Sequence, residues 1–181
     1  MPISTDHIRT TLNGYLGVHP EDKPDLIPVL ELLETDADIA SRKEFRAHAT
    51  AGAILVGPDS RILHIRHLAL DTWLLPGGHL EPEDDTLQTA ALRELCEETG
   101  ISSESVVSVG ADPIDIDVHP IPANTAKGEP DHHHVDFRFL FRTEAADTSA
   151  LQTEEVTDSV WLPVDALTSR KLGRKVSRAL R

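Results

Sequence analysis

The 181-residue chain has a single cysteine, and aromatic residues make up only 4% of it. One thiol excludes an internal disulfide and any structural zinc site that needs two thiolates from this chain. With so few aromatic rings, the core must be built mainly from Leu, Ile, Val and Ala. Basic residues are also scarce, 17 Lys and Arg against 31 Asp and Glu, for a formal charge of -14. That balance argues against non-specific nucleic-acid binding, which neutralises phosphates with Lys and Arg. It argues equally against docking on anionic membranes. No apolar run approaches the roughly 18 residues of a membrane-spanning helix. The start, Met1-Pro2-Ile3-Ser4-Thr5-Asp6, has neither the basic segment nor the apolar stretch of a secretion signal. Neither internal repeats nor low-complexity tracts occur. A globular protein of the reducing cytoplasm is the expectation, and 39% hydrophobic with 27% charged residues fits it.

The pattern divides the chain into residues 1–44, a helical extension, and 45–181, a mixed domain that includes a C-terminal helix. In the first part Ile8, Leu12, Tyr15 and Leu16 fall at helical spacing behind the capping candidates Ser4, Thr5 and Asp6. Leu26, Leu30 and Leu33 form a second stripe, in which Pro28 is expected only within the first turn. Such a hairpin serves packing, or contact with a second copy in a homodimer. From Phe45 on, Ala51–Val56 and the run with Ile62, Leu63 and Ile65 read as strands around the turn Gly57-Pro58-Asp59-Ser60. Asp84 and Asp85 are the expected caps of a helix ending near Thr99, with Gly100 as its stop. Ile114, Ile116 and Val118 alternate with polar neighbours, as do Val135, Phe137, Phe139 and Phe141, so both runs are period-two strands. Leu167, Leu172, Val176 and Leu180 predict the last helix. Strands on both sides of one strong helix make a mixed α/β domain rather than a bundle.

The chemistry concentrates in that central helix. At about 100° per residue, Glu94 and Glu98 fall within about 20° of Leu87, continuing its apolar face instead of opposing it. A solvated acidic stripe belongs on the far side. Glu94, Glu97 and Glu98 are neighbours at i, i+3 and i+4. Like charges ~4 Å apart repel by about 4 kcal/mol at an effective dielectric near 20. Arg93 offsets at most one of them. A hard divalent cation, Mg2+ or Mn2+, suits the remaining carboxylate oxygens. The paired glycines Gly77 and Gly78, one loop upstream, allow backbone to approach a ligand closely.

Gly78, Asp85 and the run Arg93-Glu94-Leu95-Cys96-Glu97-Glu98-Thr99-Gly100-Ile101 resemble the Nudix box. Its usual form is Gly, five residues, Glu, seven residues, then Arg-Glu-apolar-x-Glu-Glu-x-Gly-apolar. The second half matches at every defined position. In the first half six residues separate Gly78 from Asp85, and the acid is Asp instead of Glu, with Glu81, Glu83 and Asp84 as substitutes for it. The resemblance implies a Nudix-like α/β/α sandwich with a mixed sheet behind the N-terminal helices. It implies a metal-dependent pyrophosphohydrolase that cleaves a diphosphate linkage in a nucleoside diphosphate derivative. Carried over by position, Glu94, Glu97 and Glu98 would bind Mg2+ or Mn2+ together with a backbone carbonyl of the Gly77-Gly78 pair, taken as Gly77. Arg93 would orient the carboxylates.

Outside the box, Glu154 and Glu155 compete with the strand face of His132, His134 and Asp136 to supply a catalytic base. Family members often draw an extra glutamate from the later loop, which favours Glu154 or Glu155, with Glu155 ahead because it is nearer the final strand. Arg66, His119, Lys127, His134 and Asp136 are candidates for contact with substrate. Trp73 and Trp161 read as core residues, and Cys96 as structural because it faces away from the acids. Two rival functions remain: a Nudix-fold module that binds a nucleotide without cleaving it, and an isomerase of isopentenyl-type diphosphates, which would call for a reactive cysteine.

Overall fold

Two helices open the chain, α1 (Thr5–Val18) and α2 (Lys23–Leu33). The strands β1 (His48–Val56), β2 (Ile62–His67), β3 (Thr72–Leu74) and β4 (Gly77–His79) follow. Then come α3 (Leu87–Thr99), β5 (Val106–Ser108), β6 (Asp115–Ile121), β7 (His132–Thr143), β8 (Val156–Leu162) and α4 (Arg170–Ala179). The structure, a computed structural model, describes residues 2–68, 71–126, 128–144 and 156–181.

All eight strands belong to one mixed sheet, ordered β3-β2-β1-β7-β5, with β4 on β1, β6 on β7 and β8 on β2. β1 and β7 run parallel from His48↔His134 to Val56↔Arg142, and the other pairings are antiparallel. Successive side chains of a strand alternate between faces, so this register decides what each face carries. One parity, Ala49, Ala51, Ala53 and Leu55 with Val135, Phe137, Phe139 and Phe141, is fully buried. It shares a core with Leu87, Ala90, Ala91 and Leu95 of α3 and with the buried residues of α1 and α2. The other parity is divided. Ile54, Val56 and Leu140 pack with Leu172 and Val176 of α4. His48, Thr50 and Gly52 with His134, Asp136 and Arg138 make the remaining half polar. A cleft opens over that polar half.

The apolar stripes of the N-terminal helices are used within the chain: Ile8, Leu12, Tyr15, Leu26, Val29 and Leu33 are all buried. Lys175 of α4 ties this hairpin to the sheet. Its ammonium lies 2.6 Å from Asp22, 2.7 Å from Asp115 and 2.5 Å from the Tyr15 hydroxyl. Burial alone would raise the Asp22 carboxyl, but hydrogen bonds from Lys171, Lys175 and Tyr15 bring it down to about 2.

Local details differ from the sequence expectations in three places. Pro28 lies in the second turn of α2, not the first. The hydrogen bond it forgoes is outweighed by burying Leu26, Val29 and Leu33 on one face, with Val29 rather than Leu30 as the middle residue. The cap of α3 is Thr86, whose hydroxyl accepts from the Thr89 N–H at 3.1 Å in a reciprocal capping box, so neither Asp84 nor Asp85 caps the helix. Gly100 ends α3 at φ 70°, as expected of a glycine stop. Trp73 is exposed at the cleft instead of in the core. Trp161 does pack against the core, over Gly57, where an added Cβ would lie 2.9 Å from its ring.

Candidate active site

β4 pairs with the first half of β1, setting Gly77 beside Gly52 and Gly78 beside Ala51. α3 crosses the same end of the sheet. The close approach needs glycine at both positions of β4. A Cβ on Gly77 would sit 2.7 Å from the Ala51 carbonyl oxygen, and one on Gly78 would sit 2.6 Å from the Glu94 carboxylate. The Gly77 N–H donates to Glu98 Oε2 at 2.9 Å. That fixes one carboxylate of α3 to the strand opposite.

The carboxylates follow the wheel. Glu98 is 4% exposed, Glu94 is largely buried, and Glu97 lies at the rim with its side chain 51% exposed. Arg93 organises them through all five of its N–H donors. Nε and one terminal nitrogen form a bidentate pair with Asp84, each at 3.0 Å. The other terminal nitrogen reaches Glu94 at 3.0 Å and Glu97 at 2.9 Å, and the fifth donor meets the His79 carbonyl at 2.9 Å. Hydrogen bonding to Asp84, ahead of the charge of Glu94, raises the Arg93 pKa further. The acid serving Arg93 is therefore Asp84. Counted from Gly78, Asp84 restores the five-residue spacing and moves the inserted residue to the helix side. Asp85 is exposed. Spacing from Gly78 was the signal that would have selected Asp84.

The cleft, of about 1350 Å³, is lined by these α3 residues, by β4, by Thr50 and Gly52 of β1, and by His119, His134, Asp136 and Arg138. The His132–Arg138 strand face is thus enclosed rather than solvated. Asp136 is engaged: Thr50 donates to one of its oxygens at 3.2 Å and Arg138 to the other at 2.8 Å. Arg138 also reaches Asp115 and Asp117. Burial, with the neighbouring histidines His79, His48, His119 and His132, depresses His134 to about 3. His119 lines the cleft with Nδ1 3.0 Å from Asp117. His48 and His79, which no sequence pattern singled out, join it. The rings of His48, His79, His119, His132 and His134 are in mutual contact, with centroids 4.8–5.7 Å apart. The β1–β7, β1–β4 and β6–β7 registers bring them together.

Some candidates are not brought to the cleft. Arg66 pairs with Asp71 at 2.7 Å and is not among the lining residues. Cys96 is half-buried, and burial together with the Glu97 charge raises its thiol, so it is not a reactive nucleophile. Lys127, Glu154 and Glu155 lie outside the described residues.

The NUDIX domain model matches residues 46–180. The chain belongs to the Nudix family. It is a Nudix pyrophosphohydrolase, and the isomerase and silent-module alternatives fall away with that assignment. It is 32% identical to the probable DHNTP pyrophosphohydrolase of Lactococcus lactis subsp. cremoris (strain MG1363) over 132 residues, 70% of this chain and 74% of that one. It is 31% identical to a MutT-like protein of Streptomyces ambofaciens over 121 residues, 67% of each chain. In fold it resembles a NUDIX-family hydrolase from Clostridium perfringens, with TM-score 0.55, 21% identity, and coverage of 74% of this chain and 95% of that one. The dihydroneopterin triphosphate pyrophosphohydrolase of E. coli shares the fold at TM-score 0.52 and 17% identity, over 72% and 92% of the chains. No described helix of this Nudix protein is long and apolar enough to cross a membrane.

Proposed function

We propose that the cleft binds a nucleoside-type polyphosphate and hydrolyses a diphosphate linkage in it, with Mg2+ or Mn2+ held by Glu94, Glu97 and Glu98. The observation carrying this reading is the set of α3 carboxylates packed against Gly77 and Gly78 at the mouth of the cleft. Their oxygens are the donor type that hard divalent cations take, and the Gly78 position leaves room for no side chain beside Glu94. A backbone carbonyl from Gly77 would complete the shell. Such a cation, when bound, lowers the pKa of its water and neutralises phosphate charge.

The chain's own residues do the remaining work. The Gly77 N–H holds Glu98, and Arg93 holds Glu94 and Glu97 in place. His119, His134 and Trp73 border the space for the organic part of the substrate. Asp136 is committed to Arg138 and Thr50, and His134 is a weak base at about 3, so neither suits proton abstraction. The general base is then sought in the later-loop pair Glu154 and Glu155, with Glu155, nearer β8, the first to test.

The relative from Lactococcus makes a pterin triphosphate the first substrate to try, beside nucleoside triphosphates, dinucleoside polyphosphates and sugar nucleotides. The test is pyrophosphate and phosphate release across that panel with Mg2+ and Mn2+. Turnover that vanishes in EDTA and in Glu98→Gln, and falls sharply in Glu155→Ala, supports the reading. Turnover indifferent to EDTA or retained in Glu98→Gln removes the metal assignment. Full activity of Glu155→Ala removes Glu155 as that base.

A further inference from the structure

The histidine cluster on the cleft floor has a chemistry that the carboxylates of α3 do not. His48, His79 and His134 each offer a ring nitrogen, and these atoms lie within 4.8 Å of one another. His48 is 1% exposed, and its Nδ1 stands 3.2 Å from the Glu44 carbonyl oxygen. A carbonyl only accepts, so Nδ1 carries the hydrogen and Nε2 presents a bare lone pair. That Nε2 is buried and has no hydrogen-bond partner among the described residues. A buried acceptor left in this way costs roughly 1–3 kcal/mol unless something fills its place.

His132 is held in the same way. Its Nδ1 donates to the Pro130 carbonyl at 2.8 Å, so its Nε2 accepts from His134 Nε2 at 3.3 Å, which leaves the His134 lone pair on Nδ1. His119 is likewise held, through Nδ1, by Asp117. His48, held by an oxygen on one ring nitrogen with the other left bare towards His79 and His134, has the setting of a metal-binding histidine. The rings of His48, His79 and His134 come from three different strands, β1, β4 and β7, so their meeting does not arise from one strand's alternation.

We propose that His48, His79 and His134 bind a borderline divalent cation, Zn2+ in the first instance, at a second site separate from the carboxylates of α3. Neutral imidazole nitrogens favour zinc, whereas Mg2+ takes oxygen ligands. Zinc is held at about 2.0–2.1 Å from nitrogen, so the three rings close on it by small side-chain rotations. His79 and His134 both line the cleft, which leaves the fourth position facing it. The His79 carbonyl accepts from Arg93, so the imidazole site and the carboxylate cluster adjoin through one residue. The proposal is independent of which diphosphate the cleft accepts.

The test is equilibrium dialysis of chelator-stripped full-length protein against Zn2+, in excess Mg2+ to occupy the carboxylates, followed by elemental analysis. One zinc per chain is expected for the parent protein and for Glu98→Gln. His134→Ala and His79→Ala are expected to weaken binding by more than about 100-fold, beyond the loss typical of a group behind the ligands. His79 is half-buried, so its variant remains informative if substitution of His48 or His134 harms folding, which circular dichroism reports. Co2+ in place of zinc is expected to give the intense visible absorption of a tetrahedral nitrogen site, absent in folded His79→Ala. Failure of the parent protein to retain zinc overturns the proposal. So does zinc kept by folded His79→Ala and His134→Ala, or zinc lost from Glu98→Gln alone.

Discussion

Arg93→Met is the substitution whose consequence the geometry specifies most fully. It removes five hydrogen bonds, two of them to Asp84, a carboxylate only 4% exposed. Asp84 would keep the Glu81 N–H at 2.8 Å but lose its counter-charge. Breaking a buried ion pair from one side costs roughly 3–5 kcal/mol. Glu97 adds little to this, because its side chain is half exposed and screened by water. For a small protein with a urea m-value of about 2 kcal/mol/M, a loss near 4 kcal/mol lowers the midpoint by about 2 M. Asp84→Asn removes the charge but keeps the shape, and is expected to cost about 1.5–3 kcal/mol. In the double variant the stranded carboxylate is gone, so the combined loss should fall short of the sum by about 1–3 kcal/mol. Asp85→Asn is expected to change stability by no more than about 0.5 kcal/mol, whether made in the parent or on top of Arg93→Met. The assay is equilibrium urea unfolding of the parent and all five variants at constant m, in EDTA. Additive losses for Arg93 and Asp84, or coupling that follows Asp85 instead, would refute the pairing.

Glu98→Gln is expected to abolish nearly all turnover yet leave metal-free stability unchanged or raised, since the amide oxygen can still accept from the Gly77 N–H. Thermal melts with and without Mg2+ check this, and the metal-induced shift should shrink. Lys175→Met leaves Asp22 with Lys171 and Asp115 with Arg138, so it is expected to cost about 1–3 kcal/mol rather than the full penalty of a lone buried charge, read as a lowered urea midpoint. Metal-free stability is expected to fall as pH drops below about 6.5, because burial holds His48, His64 and His134 below the ordinary histidine value. The unfolded chain then binds protons that the folded chain refuses, so stability is present above the unfolded value and lost towards the folded one, about 3 for His134. Urea midpoints at about pH 7.5 and about pH 5 measure the difference, and His134→Gln should reduce it.

What the sequence made legible is what depends on local period. The burial order of Glu98, Glu94 and Glu97 follows from a helical wheel, because α3 is regular and Leu87 marks its inner face. The alternating Val135, Phe137, Phe139 and Phe141 identified the buried side of β7 for the same reason. What it could not convey is register between distant strands. That His48 stands beside His134, and Gly52 beside Gly77, is a fact of pairing over long sequence separations. Both features of the cleft floor, its histidines and its glycine-lined entrance, come from those pairings. The helix cap went astray for a different reason. Asp84, Asp85 and Thr86 are all competent caps, and Asp84 is withdrawn from capping by Arg93, which lies a helix turn and more away.

Charge in the cleft explains why a cation from solution belongs in the reaction. Among the described residues three arginines, Arg42, Arg93 and Arg138, line it against seven carboxylates: Glu81, Glu83, Glu94, Glu97, Glu98, Asp117 and Asp136. Each arginine already has a carboxylate within 3.3 Å: Arg42 meets Glu129, Arg93 meets Asp84, Glu94 and Glu97, and Arg138 meets Asp115, Asp117 and Asp136. To receive a phosphate, an arginine would have to leave a partner, two of which, Asp84 and Asp115, are buried. Burial lowers the pKa of His48 and His134, so these two add no positive charge at neutral pH. A polyphosphate therefore meets an acidic floor whose arginines, among the described residues, are committed to holding the acids in place. Neutralisation must arrive with the substrate or ahead of it, as divalent ions. The acids that make the cleft hostile to bare phosphate are the same groups that recruit those ions.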